Sequence, residues 1–139
     1  MAYKTIFFDF DGTIVNSMPA LTEAATALIA SRYELPQDVA RTAYLATVGR
    51  SFRDQLETIF PLDAQNVEVA EDFFMIRRGI LAQAQLFDSV RGTLRWWNAE
   101  GIKVVVCSST EGSLVVGTLK RCGVDNLITA VTGGPYPNK

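Results

Sequence analysis

Near the amino terminus, two carboxylates one residue apart, Asp9 and Asp11, end a short apolar run in Thr5-Ile6-Phe7-Phe8-Asp9-Phe10-Asp11-Gly12-Thr13. Like charges at that spacing repel, and burying them side by side is costly unless a cation or a proton intervenes. The pair therefore reads as a divalent-metal site, and Mg2+ fits because it takes a few protein oxygens and leaves other positions to water and substrate phosphate. An Asp-rich turn closed by its own side-chain to backbone hydrogen bonds is the competing reading. Further along, Ser108-Ser109-Thr110 ends a second apolar run. Hydroxyls there, with free amides at the start of a following helix, can receive an anion or simply cap the helix.

What the chain lacks narrows the chemistry further. It has no histidine, which removes Ser-His-Asp and Cys-His catalysis and every His-ligated zinc site. Two cysteines, Cys107 and Cys122, are too few for a disulfide scaffold and lack metal-ligand spacing. Cys107 falls at a strand end, where it reads either as a reactive thiol or as a small buried apolar residue. With 139 residues, 48% hydrophobic, 20% charged and a net charge of -2, the composition is that of a globular protein without a nucleic-acid footprint. No apolar run approaches the roughly 20 residues that span a membrane. Asp9 and Asp11 interrupt the only apolar amino-terminal segment, so no signal peptide is expected and the expected location is cytoplasmic.

These residues need a scaffold, and the hydrophobic pattern supplies one. Continuous apolar runs at Ile6 to Phe8 and Ile102 to Cys107 predict strands buried on both faces, as in a parallel sheet. Catalytic groups in such sheets sit at the carboxyl ends of strands. A third strand is expected over about Leu127 to Val131, after a helix with Leu114, Val115, Leu119 and Cys122 on its apolar side and Gly123 as its end. Strand, helix, strand at this spacing implies parallel pairing. Another helix, marked by Val90, Leu94 and Trp97, ends at Gly101.

Between the first strand and this region the pattern is helical. Asn16 and Ser17 precede a stripe of Leu21, Ala24, Ala25, Leu28 and Ile29. Pro36 opens a second helix to about Ala46, which Gly49 ends. Ser51-Phe52-Arg53-Asp54 resembles a capping box opening a third, with Phe52, Leu56, Ile59 and Phe60 inward and Pro61 as its stop. A longer helix, about Asn66 to Gln83, is expected to bury Val69, Phe73, Ile76 and Ile80. Arg50, in a glycine-broken loop just before a helix start, and Arg53 are placed to grip an anion or to sit solvated on the surface.

Asp9-Phe10-Asp11-Gly12-Thr13 after an amino-terminal apolar strand resembles the first motif of the haloacid dehalogenase-like phosphatases. The resemblance implies that Asp9 is a nucleophile that takes up the phosphoryl group. It makes Asp11 the group that protonates the leaving oxygen and then activates water, with Asp9 and Asp11 also on Mg2+. It further implies that Ser108, helped by the Ser109 amide, binds the phosphoryl group, and that Lys139 neutralises nucleophile and phosphate. The helical block resembles the cap domain of the phosphoglycolate phosphatase and beta-phosphoglucomutase branch, with Arg50 or Arg53 reading the substrate. The expected fold is thus α/β, an incomplete parallel-sheet Rossmann-like core formed by residues 1–15 and 86–139, with an all-helical cap inserted at 16–85. The expected activity is hydrolysis of a small phosphorylated metabolite. Phosphoryl transfer to a sugar, as in the mutases, and a catalytically silent fragment that acts by association are the alternatives.

The family's fourth, acidic motif has no counterpart here, since Glu71-Asp72 and Glu111 fall in the wrong topological places. That implies a shortened version of a protein of roughly two hundred residues. Without the strand that would carry that motif, the strand bearing Asp9 is expected to be an exposed apolar edge that favours self-association.

Overall fold

The structure, a computed structural model, describes residues 4–134. Three strands, β1 (Thr5–Phe8), β2 (Lys103–Ser108) and β3 (Ala130–Gly133), form one parallel sheet in the order β1-β2-β3. Phe8 pairs with Val106 and Val106 with Val131. Six helices accompany them: α1 (Met18–Arg32), α2 (Gln37–Ala46), α3 (Phe52–Ile59), α4 (Asn66–Leu81), α5 (Val90–Ala99) and α6 (Gly112–Arg121). The architecture is α/β, as the hydrophobic pattern predicts. None of the described helices is long and apolar enough to cross a membrane.

The chain divides into two compact units, one taking in the residues up to Ser17 and again from Leu81, the other Met18–Ile80. The expected boundaries were 15/16 and 85/86. In the first unit, α5 packs on β2 and α6 on β3, around a core of Phe10, Ile14, Val15, Leu94, Val104, Val106, Val115, Leu119 and Val124. Phe8 joins it through Trp97, with ring centroids 5.1 Å apart. The two stretches where the chain leaves and re-enters this unit are paired. The Asn16 amide donates to the Gln85 carbonyl at 2.9 Å and the Phe87 amide to the Ile14 carbonyl at 3.1 Å.

Two expectations for the sheet are corrected. β1 is not buried on both faces, and among the described residues only β2 pairs with it, so it lies at the edge of the sheet. Phe7, opposite in direction to Phe8, is 70% exposed. β3 begins later than Leu127, because Asp125–Leu127 forms a 3-10 turn first. At its far end Gly133 lies against the start of α6, and a Cβ there would come within 2.3 Å of the Gly112 Cα. No side chain fits in that contact.

In the second unit, α1 to α4 surround Leu21, Ala25, Ile29, Ala40, Tyr44, Phe52, Leu56, Val69 and Phe73. Ser51 caps α3 as its sequence suggests, accepting the Asp54 amide at 3.2 Å. α4 departs from the expected stripe. Ile76 is exposed and Arg77 is 95% buried, being 5% exposed. The inward row follows i, i+4 spacing through Val69, Phe73 and Arg77, neighbours on a helix face. Arg77 is accommodated there with its guanidinium 4.8 Å from the Phe73 ring centre, a cation-π contact. Tyr33 stacks on Phe60 at 3.7 Å and donates to Asn66 Oδ1 at 2.6 Å, while Asn66 Nδ2 donates to the Phe60 carbonyl at 2.8 Å.

Candidate active site

The side-chain alternation of β1 continues past its last paired residue. Phe8 packs into the core, Asp9 is exposed, Phe10 is wholly buried and Asp11 is half-buried. Burying a phenylalanine contributes about 2–3 kcal/mol. Phe10 is therefore an anchor that turns the carboxylates on either side of it away from the core. The turn behind it is closed by the Phe10 carbonyl, which accepts the Thr13, Ile14 and Val15 amides at 3.2, 2.9 and 3.3 Å. Gly12 sits in this turn at φ 75, a backbone conformation that glycine adopts without strain.

The two carboxylates are held differently. Asp9 Oδ1 accepts the Phe10 amide at 2.8 Å, and among the described residues Asp9 Oδ2 accepts nothing. Asp11 has both oxygens engaged, Oδ1 by the Ser17 hydroxyl at 2.6 Å and Oδ2 by the Thr110 hydroxyl at 2.5 Å. Ser17 and Thr110 are each 1% exposed. Asp9 is thus an accessible carboxylate with one oxygen free of the described residues, and Asp11 is a clamped one.

The second strand brings its hydroxyls to the same end, because β1 and β2 run parallel. Ser108 ends β2, and its Oγ accepts the Thr110 amide at 3.0 Å. A hydroxyl that accepts through a lone pair keeps its own proton to donate. Ser108 is therefore able to donate to an incoming anion. Ser109 follows, half-buried, and α6 starts at Gly112. The Gly134 amide reaches the Ser108 and Thr110 carbonyls, both at 3.0 Å, which ties the end of β3 to this turn.

The structure thus gathers Asp9, Asp11, Ser108 and Ser109 at one end of the sheet. Lys139 lies outside the described residues. Arg50 and Arg53 belong to the helical unit. There Gly49, at φ 104, turns the chain ahead of α3, and Arg50 donates to the Thr58 hydroxyl at 2.9 Å. Buried Gln55 holds the start of that loop, donating to Thr47 Oγ1 at 3.0 Å and to the Tyr44 carbonyl at 3.3 Å.

Three residues of this arrangement escape a reading of the sequence. Ser17 reads as a helix cap, Thr110 as the tail of a hydroxyl run and Gln55 as one polar residue of an amphipathic helix. Only the fold shows that Thr110 meets a side chain 99 positions earlier.

For a metal, Asp9 Oδ2 and the Asp11 carbonyl accept no hydrogen bond from the described residues. Two oxygens are a sufficient protein share for Mg2+, which keeps several waters and takes substrate phosphate. The residues fit that ion as part of its shell. Among the described residues no group of three or more His, Cys, Asp or Glu is placed to hold a metal.

Known proteins resemble this chain over nearly all of its length. It is 27% identical over 143 residues to a phosphoglycolate phosphatase of Mannheimia succiniciproducens, covering 95% of this chain and 63% of the relative. A phosphoglycolate phosphatase of Caulobacter vibrioides is 32% identical over 140 residues, covering 93% and 56%. The chain therefore spans about three fifths of the length of these curated relatives. A solved structure from Clostridium acetobutylicum, named a predicted phosphatase, superposes with a TM-score of 0.76 at 17% identity, covering 95% of this chain and 61% of the other. That likeness is one of fold. The model of the haloacid dehalogenase-like hydrolases matches residues 3–138, and the chain belongs to that family.

Proposed function

We propose that the chain carries the nucleophilic end of a phosphatase site that hydrolyses a small phosphorylated metabolite through an aspartyl-phosphate at Asp9. The observation that carries this reading is the unequal holding of two neighbouring carboxylates. Asp9 is exposed with one oxygen that no described residue engages, while Asp11 is fixed through both of its oxygens. Splitting hydrolysis through a covalent intermediate divides one difficult step into two easier ones.

In this reading Asp9 attacks phosphorus and the phosphorus to leaving-oxygen bond breaks, while Asp11 gives that oxygen a proton. Asp11, now a carboxylate, takes a proton from the water that cleaves the aspartyl-phosphate, which releases phosphate, frees the Asp9 carboxylate and returns Asp11 to its protonated form. Ser108 and the Ser109 amide donate to the phosphoryl oxygens, and Lys139 adds positive charge. Mg2+, held by Asp9 and the Asp11 carbonyl, supplies charge stabilisation when bound. The helical unit serves as a cap whose Arg50 and Arg53 meet an anionic part of the substrate. The named activity of the Mannheimia and Caulobacter relatives supports phosphoglycolate as the first substrate to try.

The test is hydrolysis of phosphoglycolate and of an aryl phosphate with and without Mg2+, beside Asp9→Asn. Loss of turnover in that variant and on chelation is expected. Equal rates for wild type and Asp9→Asn defeat the reading.

A second reading, a silent module that acts by self-association, is favoured by one feature. Among the described residues β1 is a sheet edge, and it carries Phe7 at 70% exposure. Unpaired apolar edges recruit further strands.

A further inference from the structure

The Thr110 hydroxyl has one proton, and the structure commits it. Oγ1 lies 2.5 Å from Asp11 Oδ2, with Thr110 1% exposed. Water does not compete for this bond at that burial, and a charge-assisted O-H to carboxylate contact is among the stronger hydrogen bonds. Its amide is also committed, to Ser108 Oγ at 3.0 Å, and its carbonyl accepts the Gly134 amide at 3.0 Å. Donor, acceptor and hydroxyl together make Thr110 a joint between the ends of all three strands. Its hydroxyl has no second proton to donate to a phosphoryl oxygen, because its one O-H is given to Asp11.

We infer that Thr110 is a positioning residue, which sets the plane of the Asp11 carboxylate so that a lone pair of Asp11 faces the oxygen that leaves or attacks. The inference rests on the reading that Asp11 transfers protons. Ser17 fixes Oδ1 from the amino-terminal side, so removing Thr110 alone leaves Asp11 tethered at one oxygen and free to rotate about that contact. Proton transfer requires heavy atoms within hydrogen-bond reach and aligned. Attack by Asp9 does not involve this bond.

Leaving groups separate these two steps. An alkyl alkoxide needs a proton as it departs, whereas a nitrophenolate does not. Thr110→Val keeps the shape and removes the hydroxyl. It is expected to lower kcat for an alkyl phosphate such as glycerol phosphate by on the order of 10²-fold, the lower range of general acid catalysis. In the same variant the first-turnover release of p-nitrophenolate from p-nitrophenyl phosphate, which needs no proton, is expected to change by less than about threefold. Its steady-state kcat falls to the extent that water attack on the aspartyl-phosphate, with Asp11 as base, limits turnover. Thr110→Ser restores the alkyl rate. A first-turnover release of p-nitrophenolate slowed as much as alkyl phosphate turnover, or a Ser variant as slow as Val, overturns the positioning role.

A second measurement is independent of turnover. In threonine-labelled protein the Thr110 hydroxyl proton is expected as a slowly exchanging downfield resonance that vanishes in Thr110→Val and moves in Asp11→Asn. Its absence from the wild type overturns the inference at the level of the contact. A wild type no faster than Asp9→Asn on either phosphate refutes the phosphatase reading instead. The positioning role then falls with that reading even where the resonance is present.

Discussion

Replacing Gly133 with alanine places one methyl group where the structure has no room. The new Cβ would lie 2.3 Å from the Gly112 Cα, 2.4 Å from the Gly112 nitrogen and 3.0 Å from the Thr110 carbonyl oxygen. Ordinary contact begins near 3.4 Å, so relief requires β3 and the start of α6 to separate by about 1 Å. Both partners are backbone, and no rotamer change can absorb the clash. Overpacking in a well-filled core typically costs 1–3 kcal/mol. A purely backbone collision belongs at the upper end, so we expect a loss of about 3 kcal/mol and a Tm lower by ~10 °C. Urea unfolding measures this as a lower midpoint with an unchanged slope. Gly117→Ala is the matched control, since Gly117 lies inside α6 with nothing within 4 Å. Alanine there gains about 0.5–1 kcal/mol from reduced unfolded-state entropy and better helix propensity. A Gly133→Ala protein as stable as the wild type, or two variants that shift in the same direction, would refute the close approach of β3 to α6.

Other expectations are simpler to state. Ser51→Ala removes the oxygen that accepts the Asp54 amide and should cost about 1 kcal/mol in urea unfolding, whereas no change would mean that water replaces the cap. Burial, with Asp63 and Glu57 nearby, pushes the Tyr33 phenol up to about 12. The unfolded phenol ionises near pH 10, so the stability it contributes is complete below about pH 10 and is lost as pH rises toward about 12. The stability difference between wild type and Tyr33→Phe should shrink over that window, and a constant difference would count against the raised phenol. Phe7→Lys puts a charge on the exposed face of β1 and should abolish any concentration-dependent rise in mass seen by sedimentation. A rise that persists in the variant places the association elsewhere.

Much of this fold is legible in residue order, because strands and helices differ in period. The carboxylate pair and the hydroxyl run each fall at the end of an apolar run, so their place at one end of a parallel sheet follows from pattern alone. The burial of individual residues is less legible. Ile6 to Phe8 reads as doubly buried, yet burial of Phe7 depends on a neighbour that the described chain does not supply. In α4, hydrophobicity favours Ile76 over Arg77, but helix geometry sets the inward row, and the long arginine side chain satisfies it through the Phe73 ring. The late start of β3 reflects a 3-10 turn whose residues carry no distinctive apolar period. Asp9 and Asp11 look equivalent as letters. Their difference comes from Ser17 and Thr110, and contacts between distant residues leave no mark on local spacing.

The two backbone bonds that pair Asn16 with Gln85 and Ile14 with Phe87 make the exit and entry of residues 18–80 a single doorway. An insertion threaded through such a doorway can be exchanged whole. Replacing it with a tight turn is expected to leave both rungs and the Phe10 anchor in place. A library that recombines helical segments between relatives across this ladder keeps the carboxylate pair constant and tests the proposed part of the helices in substrate choice.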